Sequence, residues 1–286
     1  MGSTRELWYR TAQPEGPERS LRFLELCPEP GRERAYALIT AGWLATTVMD
    51  QQLARRLLAE ALPMAGGSGD DGIEPLAGFL LGVSLFLSGR LDQARKSLSR
   101  ALELYSAAGD RCGIGRSTAT LGVVAFFAGD WPRATAILEQ ALASLTAAGD
   151  RWGQGLCHTY LGLTARETGD TPGAERHLVE GLRLLAPLRD VAILGIAIAA
   201  LAAVQVTRAP RRAVMLAAAA AARDGAEGRY AARAQSDIDA VRAPAAAALG
   251  ADQAAAAWKA AGCCSPRRQR SHWDDPLAAR RRPRAG

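Results

Sequence analysis

The apolar positions of this chain recur every forty residues. Leu98, Leu138 and Leu178 share one place in the interval, Leu102, Leu142 and Leu182 a second, and Ala94, Ala134 and Ala174 a third. Within one interval Ala94, Leu98, Ala101 and Leu102 fall at i, i+4, i+7 and i+8, one face of an α-helix. Upstream, Leu-Gly pairs stand at 81–82, 121–122 and 161–162, and single glycines at 89, 129 and 169. A glycine directly after an apolar helical run marks a C-cap, and Asp130 or Asp170 beside it can cap the next helix. Each interval therefore predicts a helical hairpin. Its first helix ends at the glycine, and its second closes at the Ala-Gly-Asp-Arg tetrad seen at 108–111 and 148–151. The small residues Gly82, Gly122 and Gly162 are expected to meet Ala94, Ala134 and Ala174 of the second helix. One hairpin cannot bury such a face alone, so the hairpins must stack.

The grid extends both ways. Gly42, Ala54, Leu58, Ala61 and Leu62 keep it one interval earlier, with Met49 in place of the turn glycine. One interval later Val191–Val206 is free of charge, but it falls short of the roughly 20 apolar residues a bilayer helix needs. Its place on the grid predicts a buried first helix, followed by a partner at 211–223 displaced by one residue. The expected organisation is a partial leading repeat over 1–34, a repeat array over 35–225, a C-terminal helical segment over 226–262 and a basic, disordered tail over 263–286. The fold class is all-α, an α-solenoid of helix-turn-helix repeats.

The residues Leu121-Gly122, Gly129-Asp130-Trp131, Ala134, Leu138 and Ala141 resemble the tetratricopeptide repeat. The forty-residue period exceeds that family's usual length and the terminal proline is missing, which implies longer helices on the same fold. The long units with AAGD junctions, the leading LWYRTAQPEGPERSLRFLE and the closing RRAVMLAAAAAARDG and ALGADQAAAAWKAAG are similar to the tetratricopeptide region of large ATP-binding regulators of the LuxR family. In that family an ATPase domain precedes the repeats and a DNA-binding helix-turn-helix follows. Neither is visible here, and no G-x-x-x-x-G-K-[ST] occurs to cradle phosphates.

Charge does not point to nucleic acid on the folded body. The formal net charge is +6, but seven arginines lie beyond Pro266 with only Asp274 and Asp275 to offset them. The remainder is nearly neutral, so nucleic acid is a partner only through the tail. The five cysteines are odd in number and no secretory leader pattern opens the chain, which fits a reducing cytoplasm. No membrane segment is expected.

Candidate chemistry is sparse. Cys157-His158 are neighbours on a helix, so their side chains diverge, and a packed pair is the plain reading. No C-x-x-C or H-x-x-x-H spacing suggests a metal. Cys263-Cys264 is a vicinal pair open to redox chemistry or a soft metal, with an incidental pair as the plain reading. The loop AGGSGDDG at 65–72 lacks Lys and carries two aspartates, so it reads as a linker. No catalytic residue, cofactor or metal is expected, and the chain reads as a non-enzyme.

The resemblance also implies a groove lined by the first helices. It selects Phe79, Val83, Phe86 and Leu87 in one repeat, Arg116, Val123, Phe126 and Phe127 in the next, and Leu156, Thr159, Leu163, Arg166 and Glu167 in the third. The Lys/Asn set that clamps a carboxylate in that family is absent. A protein or peptide segment is expected there, with the phenylalanines supplying contact area and Arg116 and Arg166 orienting acidic groups. The competing reading makes these aromatics core residues of tightly coiled repeats. Other classes stay open: a sensory module binding a small effector, a DNA-associated regulator acting through the basic tail, and self-association into a homo-oligomer.

Overall fold

The computed structural model describes residues 16–26, 28–48, 50–64, 70–188, 191–222 and 228–262, and these contain only helices, turns and their connections. Met49, residues 65–69, most of the leading segment before α1 and the tail with Cys263 and Cys264, each of which carries a sequence expectation, lie outside the described residues. The chain divides into two compact units, Met1–Thr168 and Gly169–Gly286. The array expected over 35–225 is thus shared between them.

The first unit holds α1 (Gly16–Leu26), α2 (Arg32–Thr47), α3 (Gln51–Ala61), α4 (Ile73–Leu87), α5 (Leu91–Ala107), α6 (Arg111–Phe127), α7 (Trp131–Ala147) and α8 (Arg151–Glu167). Each packs on its successor, and the first helices of successive hairpins also touch: α2 with α4, α4 with α6, α6 with α8.

The aspartates of the junctions serve two helices at once. The Asp150 backbone N–H donates to Leu145 O at 3.0 Å, closing the end of α7, while its carboxylate accepts from Gly153 N at 3.2 Å and opens α8. Asp110 does the same between α5 and α6, donating to Tyr105 O at 3.0 Å and accepting from Cys112 N and Gly113 N at 3.0 Å. Helix ends leave backbone groups without partners, and one residue here satisfies groups on both sides of a turn. The junction turns need positive φ at Gly109 (66°) and Gly149 (69°), and the turn inside a hairpin needs it at Gly129 (80°), a conformation that costs other residues about 1 kcal/mol or more. Gly89 and Gly169 repeat it at φ 82° and 84°.

The close approach within a hairpin differs from the expected glycine–alanine contact. Ala94 and Ala134 are buried, but the glycine gap receives a leucine branch. A Cβ on Gly82 would stand 2.6 Å from Leu98 Cγ, and one on Gly122 2.7 Å from Leu138 Cγ. Gly42 and Leu58 repeat this at 2.7 Å. The second helix points its largest apolar residue of that face at the missing side chain, which fills the gap with buried leucine rather than with a small contact.

The second unit holds α9 (Thr171–Leu185), α10 (Val191–Gln205), α11 (Pro210–Ala221), α12 (Gly228–Leu249) and α13 (Ala251–Gly262). Helix α10 contacts α9, α11 and α12, so it is covered on several sides. Ile193, Leu194 and every residue from Ile196 to Ala202 are buried. That explains an apolar run with no polar face. No helix among the described residues is long and apolar enough to cross a membrane.

Candidate functional site

Four aromatic rings join the first helices of three successive hairpins. Phe86 on α4 lies 5.2 Å from Phe127 on α6, centroid to centroid. Phe126 meets Phe127 at 5.4 Å and 88°, and Tyr160 on α8 at 5.5 Å and 69°. These tilted and edge-on pairings suit the ring quadrupole and add about 0.5–1.5 kcal/mol per pair beyond burial. Phe86 and Tyr160 are fully buried, and Phe126 is 5% exposed.

This stack sorts the residues expected to line a groove. Phe86, Val123, Phe126, Leu156, Thr159 and Leu163 are core, and contact area from Phe86 and Phe126 is corrected accordingly. The physical reason is that first helices of adjacent hairpins touch, so side chains near their shared line face one another. Phe79, Val83, Leu87 and Phe127 remain half-buried and keep a solvent-facing side. The same grid place as Val83, forty residues earlier, carries half-buried Trp43 on α2, which packs with Phe79 against one apolar cluster. The sequence held that signal, since 43, 83, 123 and 163 share one position of the repeat.

The two arginines expected to orient acidic groups are already engaged. Arg116 Nε donates to Asp150 Oδ2 at 2.5 Å, and its guanidinium sits 5.6 Å from the centre of the Trp152 ring. Arg166 donates to Glu167 at 3.2 Å. Burial alone would raise the Asp150 pKa. The Arg116 hydrogen bond and charge, with Gly153 N–H and the Cys112 thiol 3.7 Å away, override it and hold the carboxyl below its usual range. An acidic ligand group at Arg116 would compete with Asp150 for its guanidinium.

Nucleophilic chemistry finds little support in the same region. Cys157 is fully buried, and desolvation together with the Asp150 charge pushes its thiol up to about 12. The thiolate is the reactive form, so at neutral pH this sulfur is inert. Among the described residues no group of three His, Cys, Asp or Glu side chains converges to hold a metal.

Residues 76–147 match the family model of the tetratricopeptide repeat. No curated protein matches the chain. Solved structures share its fold at low identity. BtubC (BKLC) from P. vanneervenii aligns with TM-score 0.54 and 18% identity over 94% of this chain and 96% of that one. A Rap protein complexed with competence and sporulation factor aligns with TM-score 0.61 and 12% identity, over 79% of this chain and 63% of that one. A signal transduction ATPase with a tetratricopeptide repeat sensor, from Pyrococcus horikoshii, gives 0.62 and 13%, over 86% of this chain and 39% of that one. The chain thus spans just under two thirds of the Rap protein and well under half of the ATPase. The fold is an all-α, tetratricopeptide-like α-solenoid.

Proposed function

We propose that the chain is a non-catalytic protein-interaction module that holds a protein or peptide segment against the first helices of its first unit. The observation that carries this is the half-exposed apolar strip of Trp43, Phe79, Val83, Leu87 and Phe127 beside a buried aromatic stack. A rigid core directly under partly open apolar side chains is what preorganised recognition requires. The neighbour solved with competence and sporulation factor and the ATPase with a repeat sensor are consistent with such a use of this fold. The AAGD junctions support descent from, or kinship with, the repeat region of LuxR-type regulators.

The test is selection of a random peptide library on the full chain, followed by binding to Val83→Glu and Phe79→Glu. Both positions are half-buried, so a charge there blocks contact, and coincident far-UV circular dichroism melts with wild type check that the core Phe79 packs against still holds. Peptides with apolar anchors that lose binding to both variants support the proposal. Selected peptides that bind both variants as well as wild type sink it.

A further inference from the structure

The joints between successive hairpins of the first unit are not tied alike. Between the α2–α3 and α4–α5 hairpins, Arg32 and Tyr36 donate to Asp70. Arg55 Nη1 also donates to Ser88 Oγ at 2.6 Å, and Ser84 Oγ to Gln51 Oε1 at 2.8 Å. Between the α6–α7 hairpin and α8, Arg116 donates to Asp150, and Gln154 Nε2 to Leu145 O at 3.3 Å. The repeat carries the same places to the joint in the middle, between α4–α5 and α6–α7. Gly72 and Leu76 stand there at the places of Arg32 and Tyr36, Leu91 and Val124 at those of Gln51 and Ser84, Ala128 at that of Ser88 and Ile114 at that of Gln154. None of these six side chains can make a hydrogen bond. The Asp110 carboxylate accepts instead from Cys112 N and Gly113 N of its own helix at 3.0 Å. Helices α4 and α6 also touch less than α2 with α4 or α6 with α8.

In a stack of repeats each hairpin meets only its neighbours, so opening starts at the weakest joint. Directed hydrogen bonds fix the angle between neighbouring helices, whereas apolar contact is non-directional. We infer that the first unit is built to open at this middle joint, as two bodies (α2–α5 and α6–α8) that each keep their own polar ties, and that opening uncovers Phe86. Phe86 and Phe127 meet across the joint at 5.2 Å, while Phe126, Phe127 and Tyr160 stay together on the second body. Trp43, Phe79, Val83 and Leu87 stand on the first body and Phe127 on the second, so opening parts the half-exposed strip beside Leu87. The inference does not rest on what the strip binds, and its test contains no ligand.

Thiol labelling at one place of the repeat tests it. Ser84, Val124 and Thr164 share that place and are all buried, and the bond of Ser84 to Gln51 shows that it faces the preceding hairpin. Ser84→Cys, Val124→Cys and Thr164→Cys are treated as full chains with iodoacetamide at pH 8, with urea set to give each the same global stability, and labelling is read by peptide mass mapping. Val124→Cys should react about tenfold faster or more than the other two, even though Ser84→Cys removes one tie from its own joint. Leu76→Arg puts a donor at the place from which Arg116 reaches Asp150, and it should slow the Val124→Cys thiol toward the others. Adding Asp110→Ser, which keeps a capping residue and withdraws the carboxylate, should restore the fast rate. Equal rates at all three thiols, a faster Ser84→Cys or Thr164→Cys, or no slowing by Leu76→Arg overturns the inference. Should Leu76→Arg not fold, Leu76→Lys takes its place, and the ranking of the three thiols decides the matter without either.

Discussion

Arg116 of α6 reaches thirty-four residues along the chain to donate to Asp150, the residue that caps α8, at 2.5 Å. An equivalent joint lies eighty residues earlier: Tyr36 and Arg32 of α2 donate to Asp70 at 3.0 and 2.8 Å, and Asp70 accepts from Gly72 N at the start of α4. In both places one carboxylate ties a first helix to the cap of the next. At the intervening joint Asp110 caps α6, but the matching positions are Gly72 and Leu76, which have no side-chain donor.

Replacing Asp150 by Asn keeps a cap acceptor and removes the charge opposite Arg116. Asp150 is largely buried, so a loss of about 1–3 kcal/mol is expected in urea unfolding. Arg116→Met should cost a similar amount, and the double variant less than the two losses combined. Fully additive losses would show that the two residues act independently.

The same pair sets a pH dependence. The folded pKa of Asp150 lies below its unfolded value, so its contribution is complete above about pH 4 and is lost as pH falls through the folded value. Wild type should therefore lose stability more steeply than Asp150→Asn below about pH 4. Parallel curves through that range would contradict the assignment.

Gly122→Ala pits helix propensity against packing. Alanine gains about 1 kcal/mol in a helix, but its Cβ would stand 2.7 Å from Leu138 Cγ, a branch point that cannot swing away. Overpacking costs about 1–3 kcal/mol, so a net loss is expected in thermal melts. A stabilised variant would mean that α7 shifts without penalty.

Two hairpins carry one ion pair with opposite polarity. Arg34 donates to Glu60 at 2.6 Å, and forty residues on, Arg100 donates to Glu74 at 3.1 Å. Both pairs are partly exposed, so each is expected to contribute under about 1 kcal/mol. Glu74→Arg and Arg100→Glu should each destabilise slightly, and the double swap should recover most of the melting temperature, short of the second ion pair that Arg100 makes with Glu103, since Arg34–Glu60 shows that the site accepts the reverse order.

Cysteine reactivity separates two neighbouring thiols. Cys157 is buried with its thiol raised to about 12, whereas Cys112 is half-exposed. Iodoacetamide at pH 8, read by peptide mass mapping, should label Cys112 in the folded chain and Cys157 only in denaturant. Equal labelling would show that α8 opens readily.

The repeat legible in the sequence determined the element boundaries well, because helix ends depend on local chemistry. Gly129 followed by Asp130 specifies a left-handed turn and a cap whatever surrounds them, and the helices break there. Apolar spacing likewise marked Leu98 and Leu138 as core. Which face of a first helix stays open was a tertiary matter. Phe86 and Phe127 sit at neighbouring places on the same grid, yet one is sealed and the other half-open, because the contact of α4 with α6 encloses one ring and leaves the other at its rim. The partner of Arg116 was also invisible in sequence, since Asp150 reads as a cap and only the stacking of α6 on α8 brings the guanidinium to it. Period and capping are properties of short stretches of chain. Burial and pairing are properties of the stack, and they decided which of the expected binding residues remain available to a partner.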